Sequence, residues 1–253
     1  MRHRRPAGGC SESRGIRLSL DFPLAFAEWL ALQARHGPAR AYRPALKLPV
    51  LARTAGVEAG RQAAWAVGST LFWMGRFSDA RRWLEPLHAR ELGWIMALQG
   101  DREAALALPH NATLHFFRDD PEACLRWLGT PADPVEAAQA ELLRYWARTR
   151  LGEQTDEAAA QTALATLRRL APCDEARGMA IHAEAAFRRQ PVYALPHLDG
   201  ALELFARFGL HYLEARLLYL KAQALDAAGE LGAASRFQRA AAAAERRQGL
   251  QSA

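Results

Sequence analysis

From Asp21 onward, apolar side chains return every three or four positions, the spacing of one face of an α-helix. Phe22, Phe26, Trp29, Leu30 and Leu32 open the pattern, which stops at Gly37. Asp21 and Pro23 supply the cap and first-turn residues of a helix start. Residues 38–50 contain Pro38, Pro44 and Pro49 and read as a loop with a short helical piece. Beyond them, helical periods punctuated by Gly, Pro and Asp predict helices over 57–74, 78–89, 91–99, 102–108, 111–117, 121–128, 134–151, 155–170, 174–189, 192–208, 211–228 and 231–248. No stretch alternates apolar and polar positions with β-branched enrichment, so no strand is expected. Residues 1–15 are polar, basic and Gly-rich, as a disordered tail would be. The expected organisation is a basic tail over 1–20, a helical extension over 21–56 and a helical repeat domain over 57–253, all-α throughout.

One spacing recurs within the helical region. A small residue is followed by Gly seven positions later and by Ala five after that: Gly68, Gly75, Ala80; Gly93, Gly100, Ala105; Ala222, Gly229, Ala234. An apolar residue stands four before each turn Gly, at Leu71, Met96 and Leu225. Small side chains let two antiparallel helices approach, the Gly ends the first helix, and the apolar residue fills the space one turn earlier. A hairpin in which Gly68 meets Ala80, and Ala222 meets Ala234, is the expectation.

These residues resemble the tetratricopeptide (TPR) repeat family. The stretch from Ala66-Val67-Gly68 through Phe72-Trp73-Met74-Gly75-Arg76-Phe77-Ser78-Asp79-Ala80 looks like a TPR helix-turn-helix. Leu92-Gly93 through Gly100-Asp101-Arg102-Glu103-Ala104-Ala105 is a second match. Leu204 to Gly209 with Leu213 to Arg216 and Gly229 is similar to the degenerate repeats of bacterial signalling ATPases and transcription regulators. His182 and Ala185 through Ala194, Leu198 and Ala201 form a weaker match, with Arg189 where Gly is expected. Around Gly152, Tyr145 and Glu157 replace the small residues. The resemblance implies a curved α-solenoid of helix pairs and a non-catalytic protein–protein interaction or scaffold role, within a bacterial regulatory system. A protein or peptide partner would meet the exposed edges of the first helices, which make up most of a solenoid's concave face, at residues such as Gln62, Trp65 and Ser69.

Charge adds an alternative. Residues 1–60 hold ten Arg or Lys against four acids, which is the whole of the chain's net charge of +6. Arg40, Arg43, Lys47 and Arg53 flank Leu48 to Glu58, which resembles the first half of a helix-turn-helix DNA-binding unit. A nucleic-acid-binding regulator using residues 1–60 would bind duplex in a salt-dependent way and lose it when residues 1–56 are removed. Three widely spaced cysteines, Cys10, Cys124 and Cys173, suit a reducing compartment. No long uncharged apolar run is present. The expected location is the cytoplasm, with no membrane partner.

Candidate chemistry is sparse. HExxH, GxSxG, GxGxxG and GxxxxGK[ST] do not occur. His110 and His115 are five apart and not expected to face each other on a helix. Asp119-Asp120-Pro121-Glu122 reads as a helix start with Asp120 as cap, before it reads as a cation site. His182 and Glu184, two apart on a helix, point in different directions, and a core or interface histidine is expected. No catalytic, cofactor or metal site follows, and the chain reads as a binding protein without enzymatic activity.

Overall fold

The structure, a computed structural model, describes residues 12–250, with side chains from residue 21 onward. Among the described residues it is all-α, with no strand. The helices are α1 (Glu12–His36), α2 (Pro38–Ala52), α3 (Val57–Trp73), α4 (Phe77–Leu84), α5 (Arg90–Leu98), α6 (Ala112–Phe117), α7 (Pro121–Arg126), α8 (Pro134–Arg150), α9 (Glu157–Leu170), α10 (Pro172–Arg189), α11 (Leu195–Phe208), α12 (Glu214–Ala227) and α13 (Leu231–Gln248). Each helix packs on the next in the chain, giving a helical array. No helix among the described residues is long and apolar enough to cross a membrane.

Two expectations near the N-terminus are corrected. The backbone is already helical from Glu12, so Asp21 and Pro23 lie inside α1 and do not start it. Residues 38–50 are not a loop; they form the continuous helix α2, with Pro38 in its first turn and Pro44 and Pro49 inside it. Each internal proline removes a backbone donor, but Ala41, Ala45, Leu48 and Ala52 line up as a buried face against α1 and α3. Tertiary burial of that face overrides the local penalty. Since α2 packs on both neighbours, the segment before residue 57 continues into the array.

The turn glycines do what their spacing demanded. Gly75, Gly100 and Gly229 have φ of 70°, 86° and 81°, open to glycine without a Cβ clash. In each case the amide one residue further on donates to the carbonyl four before the Gly: Arg76 N to Leu71 O (2.9 Å), Asp101 N to Met96 O (2.9 Å) and Glu230 N to Leu225 O (2.8 Å). That bond closes the last helical turn in a Schellman motif. In the first hairpin a Cβ on Gly68 would come within 2.6 Å of Leu84 Cγ and 3.1 Å of Trp83 Cβ, so the absent side chain is what lets the end of α4 approach α3. Gly93 does face Ala105, whose carbonyl oxygen would lie 3.4 Å from an added Cβ. Ala222 and Ala234 are both buried where α12 packs on α13. The helix expected over 102–108 is only a single 3-10 turn, Ala104–Ala107, cut short by Pro109.

The array curls until it meets itself. α1 packs on α10, and His211 N donates to Trp73 O at 2.9 Å. At the closest point the α1–α2 and α11–α12 turns interlock. A Cβ on Gly37 would lie 2.3 Å from Phe208 O, and one on Gly209 would lie 2.4 Å from Ala39 Cβ. A second tight crossing, not foreseen, is at Gly178 of α10, where a Cβ would be 2.6 Å from Leu142 Cδ1 of α8. Closure leaves a hollow between the inner helices.

Candidate binding cavity

The hollow is a cavity of about 390 Å³ walled by α1, α3, α5, α6, α8 and α10, with Tyr212 closing one side. This is the size class of sites for small molecules or a few peptide residues. Its walls carry Trp29, Trp65, Trp73 and Trp94, with half-exposed Trp127 at the rim. Three of these indoles are held by their N–H groups. Trp29 Nε1 donates to Thr70 Oγ1 (3.2 Å), whose own hydroxyl donates to Ala66 O (2.7 Å). Trp65 Nε1 donates to Glu91 Oε1 (3.0 Å), and Trp94 Nε1 to Asn111 Oδ1 (3.3 Å), the cap of α6. Edge contacts add to this: Trp29 and Trp65 meet at 5.5 Å and 86°. The rings are therefore fixed in place before any ligand arrives.

Polar groups are set among the rings, and several lack partners. Glu91 is 2% exposed; its Oε2 has no hydrogen-bond partner, while Arg90 approaches Oε1 from the rim at 3.8 Å. Gln33 is 8% exposed, and neither its Oε1 nor its Nε2 is partnered. Arg177 lies over the Trp73 ring at 3.5 Å and pairs with Asp174 at 2.8 Å, with its Nε unpartnered. Desolvation opposes the Arg177 charge, but negative groups led by Asp174 and including Glu91 outweigh it and raise the pKa.

Of the residues expected to meet a partner, Trp65 and Ser69 line this cavity. Gln62 lies in an adjoining groove with Trp65, Arg61 and Arg90. Glu91, Gln33 and Arg177 were not singled out from the sequence; each comes from a different helix, and no local spacing links them. Arg40, Arg43, Lys47 and Arg53 are exposed on and just after α2, away from the cavity. The first three fall on one helical stripe and have no ion pair among the described residues.

Comparison with protein-family models, curated proteins and solved structures finds no match to this chain.

The other candidates resolve into structural pairs. Asp120 Oδ1 accepts from Ala123 N (3.0 Å) as the cap of α7, and Asp119 pairs with Arg150. His110 and His115 do come together, their rings 5.3 Å apart, because the chain between them turns into α6. No group of three or more His, Cys, Asp or Glu among the described residues is arranged to hold a metal. His182 and Glu184 do diverge as expected: Glu184 meets Arg216, while His182 Nε2 donates to Glu157 Oε1 at 2.7 Å. Tyr145 and Glu157, the residues standing where small ones were expected, meet each other: Tyr145 Oη donates to Glu157 Oε2. A hydrogen-bonded pair thus stands at this hairpin where Gly93 and Ala105 meet in another. Burial works against the Glu157 charge, but bonds from Tyr145, His182 and Gln161 prevail and hold its carboxyl at about 2. Burial, reinforced by the Glu157 bond, raises the Tyr145 phenol above its ordinary value.

Proposed function

We propose that this chain is a non-catalytic recognition module of TPR-like helix pairs, which receives a short peptide segment of a partner protein in its inner cavity. The observation that carries this reading is the set of buried polar atoms without a partner in the protein, among three indoles fixed by their N–H bonds. An unpaired buried polar atom costs about 1–3 kcal/mol, so a chain tolerates it mainly where something else completes it. The Schellman turns at Leu71/Gly75, Met96/Gly100 and Leu225/Gly229 support the repeat architecture. The buried free thiols of Cys124 and Cys173 fit a cytoplasmic setting, and a role as the sensing or scaffolding part of a bacterial regulatory system follows from the family resemblance.

Display selection from random heptapeptides on the full chain tests the reading. Enriched peptides should lose binding when Ala140→Trp projects an indole from α8 into the cavity, with the melting temperature retained. Peptides that bind this variant as tightly as the parent, or a selection that never enriches, would reject it.

The exposed stripe of Arg40, Arg43 and Lys47 favours duplex nucleic acid as a second reading. Removing residues 1–56 cannot test it, because Phe22, Trp29 and Leu48 are core residues. Changing the three cations to alanine in the full chain should abolish salt-dependent duplex binding; binding that persists refutes it.

A further inference from the structure

Glu91 is the acidic side chain of the cavity whose bonding is incomplete. One carboxyl oxygen accepts from Trp65 Nε1 at 3.0 Å, and the other has no hydrogen-bond partner within the protein. Arg90, the nearest cation, lies at the rim with its side chain 59% exposed and approaches only the oxygen that Trp65 already uses. The cation inside, Arg177, pairs with Asp174 at 2.8 Å; Glu91 acts on its charge from further off but makes no ion pair with it. The cavity wall therefore has a carboxyl oxygen, Glu91 Oε2, with no donor from the protein. The rings of Trp29, Trp65 and Trp94 line the same cavity, and Trp94 already meets the Arg90 guanidinium at 5.7 Å. Indole faces attract cations, and more strongly where water is excluded. A buried carboxylate is stabilised by a charge-assisted donor. Gln33, unpartnered on both polar atoms, adds an acceptor for a second N–H and a donor for a carbonyl.

We propose that the cavity selects a ligand bearing a primary ammonium on an apolar or aromatic body, with the ammonium donating to Glu91 Oε2. This rests on the recognition reading above and gives it a chemistry: an inserted segment would present its amino terminus or a lysine head. A free arylalkylamine shares that chemistry, and the experiment separates the two sources.

The full chain is titrated, with the indole N–H resonances followed by NMR, against 2-phenylethylammonium and its neutral counterpart 2-phenylethanol. Phe-Ala-Ala amide is tested with a free and with an acetylated amino terminus. The Trp65 indole resonance, bonded to Glu91, should shift with both amines and with neither neutral analogue. Glu91→Gln, which keeps an acceptor for Trp65, should weaken amine binding about tenfold or more. The charged-against-neutral comparison on the unaltered chain decides the matter even if that variant folds poorly. Equal binding of amines and neutral analogues overturns the ammonium assignment and leaves the cavity reading standing. Binding of the small amine without the free peptide keeps the ammonium assignment and rejects the peptide segment. Absence of any shift from all four probes overturns both.

Discussion

Two carboxylates, Glu157 and Glu91, stand in the first turns of α9 and α5 and are treated in opposite ways. Glu157 has a side chain 47% exposed, where water alone would satisfy it, yet both of its oxygens are bonded within the protein. Glu91 is 2% exposed and lines the cavity, yet one of its oxygens has no hydrogen-bond partner within the protein. A saturated carboxylate at a helix crossing fixes that crossing. An unsaturated one in a hollow keeps acceptor capacity for something that comes from outside. The difference separates structural polarity from binding polarity without any appeal to sequence motifs.

The largest expected effect is on the saturated side. Glu157→Leu leaves the His182 ring and the Tyr145 hydroxyl without their shared acceptor between α8, α9 and α10. Urea unfolding should register a loss of about 2–3 kcal/mol. A loss under about 0.5 kcal/mol would mean the cluster is no more than an ordinary surface contact.

Acid should sharpen the same contrast. The Glu157 carboxyl is held at about 2 against an ordinary 4.5, so as pH falls the unfolded chain takes up the proton first. The stabilisation is therefore present above pH 4.5 and disappears as pH drops toward 2. Glu214, lowered chiefly by its bond from His211, contributes in the same direction. His115 and His197 are both pushed below their usual 6.5, first by burial, so the unfolded state protonates first there as well and an earlier decline begins under pH 6.5. Chemical unfolding across this range should show two stages, and Glu157→Leu should shrink only the lower one. A lower stage unchanged in that variant would assign it elsewhere.

The smallest effect has the opposite sign. Gln33→Leu removes two unpartnered polar atoms from the cavity wall and should stabilise the empty protein by about 1 kcal/mol, visible as a higher melting temperature, while weakening ligand uptake. A destabilised variant would show that Gln33 already has its partners within the fold.

What could be read along the chain was what neighbours in sequence decide. The Leu71–Gly75 and Leu225–Gly229 turns were legible because a Schellman motif is closed within six residues. Asp120 was legible as a cap because its acceptor and donor are three apart. The prolines of α2 misled, because the buried stripe from Ala41 to Ala52 gains its stability from α1 and α3. The cavity was not legible. Trp65 and Ser69 were marked by their place on a first helix, but Glu91 lies 26 residues from the indole it bonds. Which tryptophans face a hollow and which face a core depends on curvature, and curvature is a sum over every crossing, Gly178 among them.

The interlocked turns at Gly37 and Gly209 bear on how such a molecule can change over generations. A stack open at both ends gains or loses a unit by duplication or deletion and keeps the rest of its contacts. Here the α1–α2 and α11–α12 turns are fitted to each other with no room for one methyl group. A pair added between them would part them and spill the hollow into solvent. The number of units between these two turns is thus locked, and diversification there must come by exchanging the side chains that face inward.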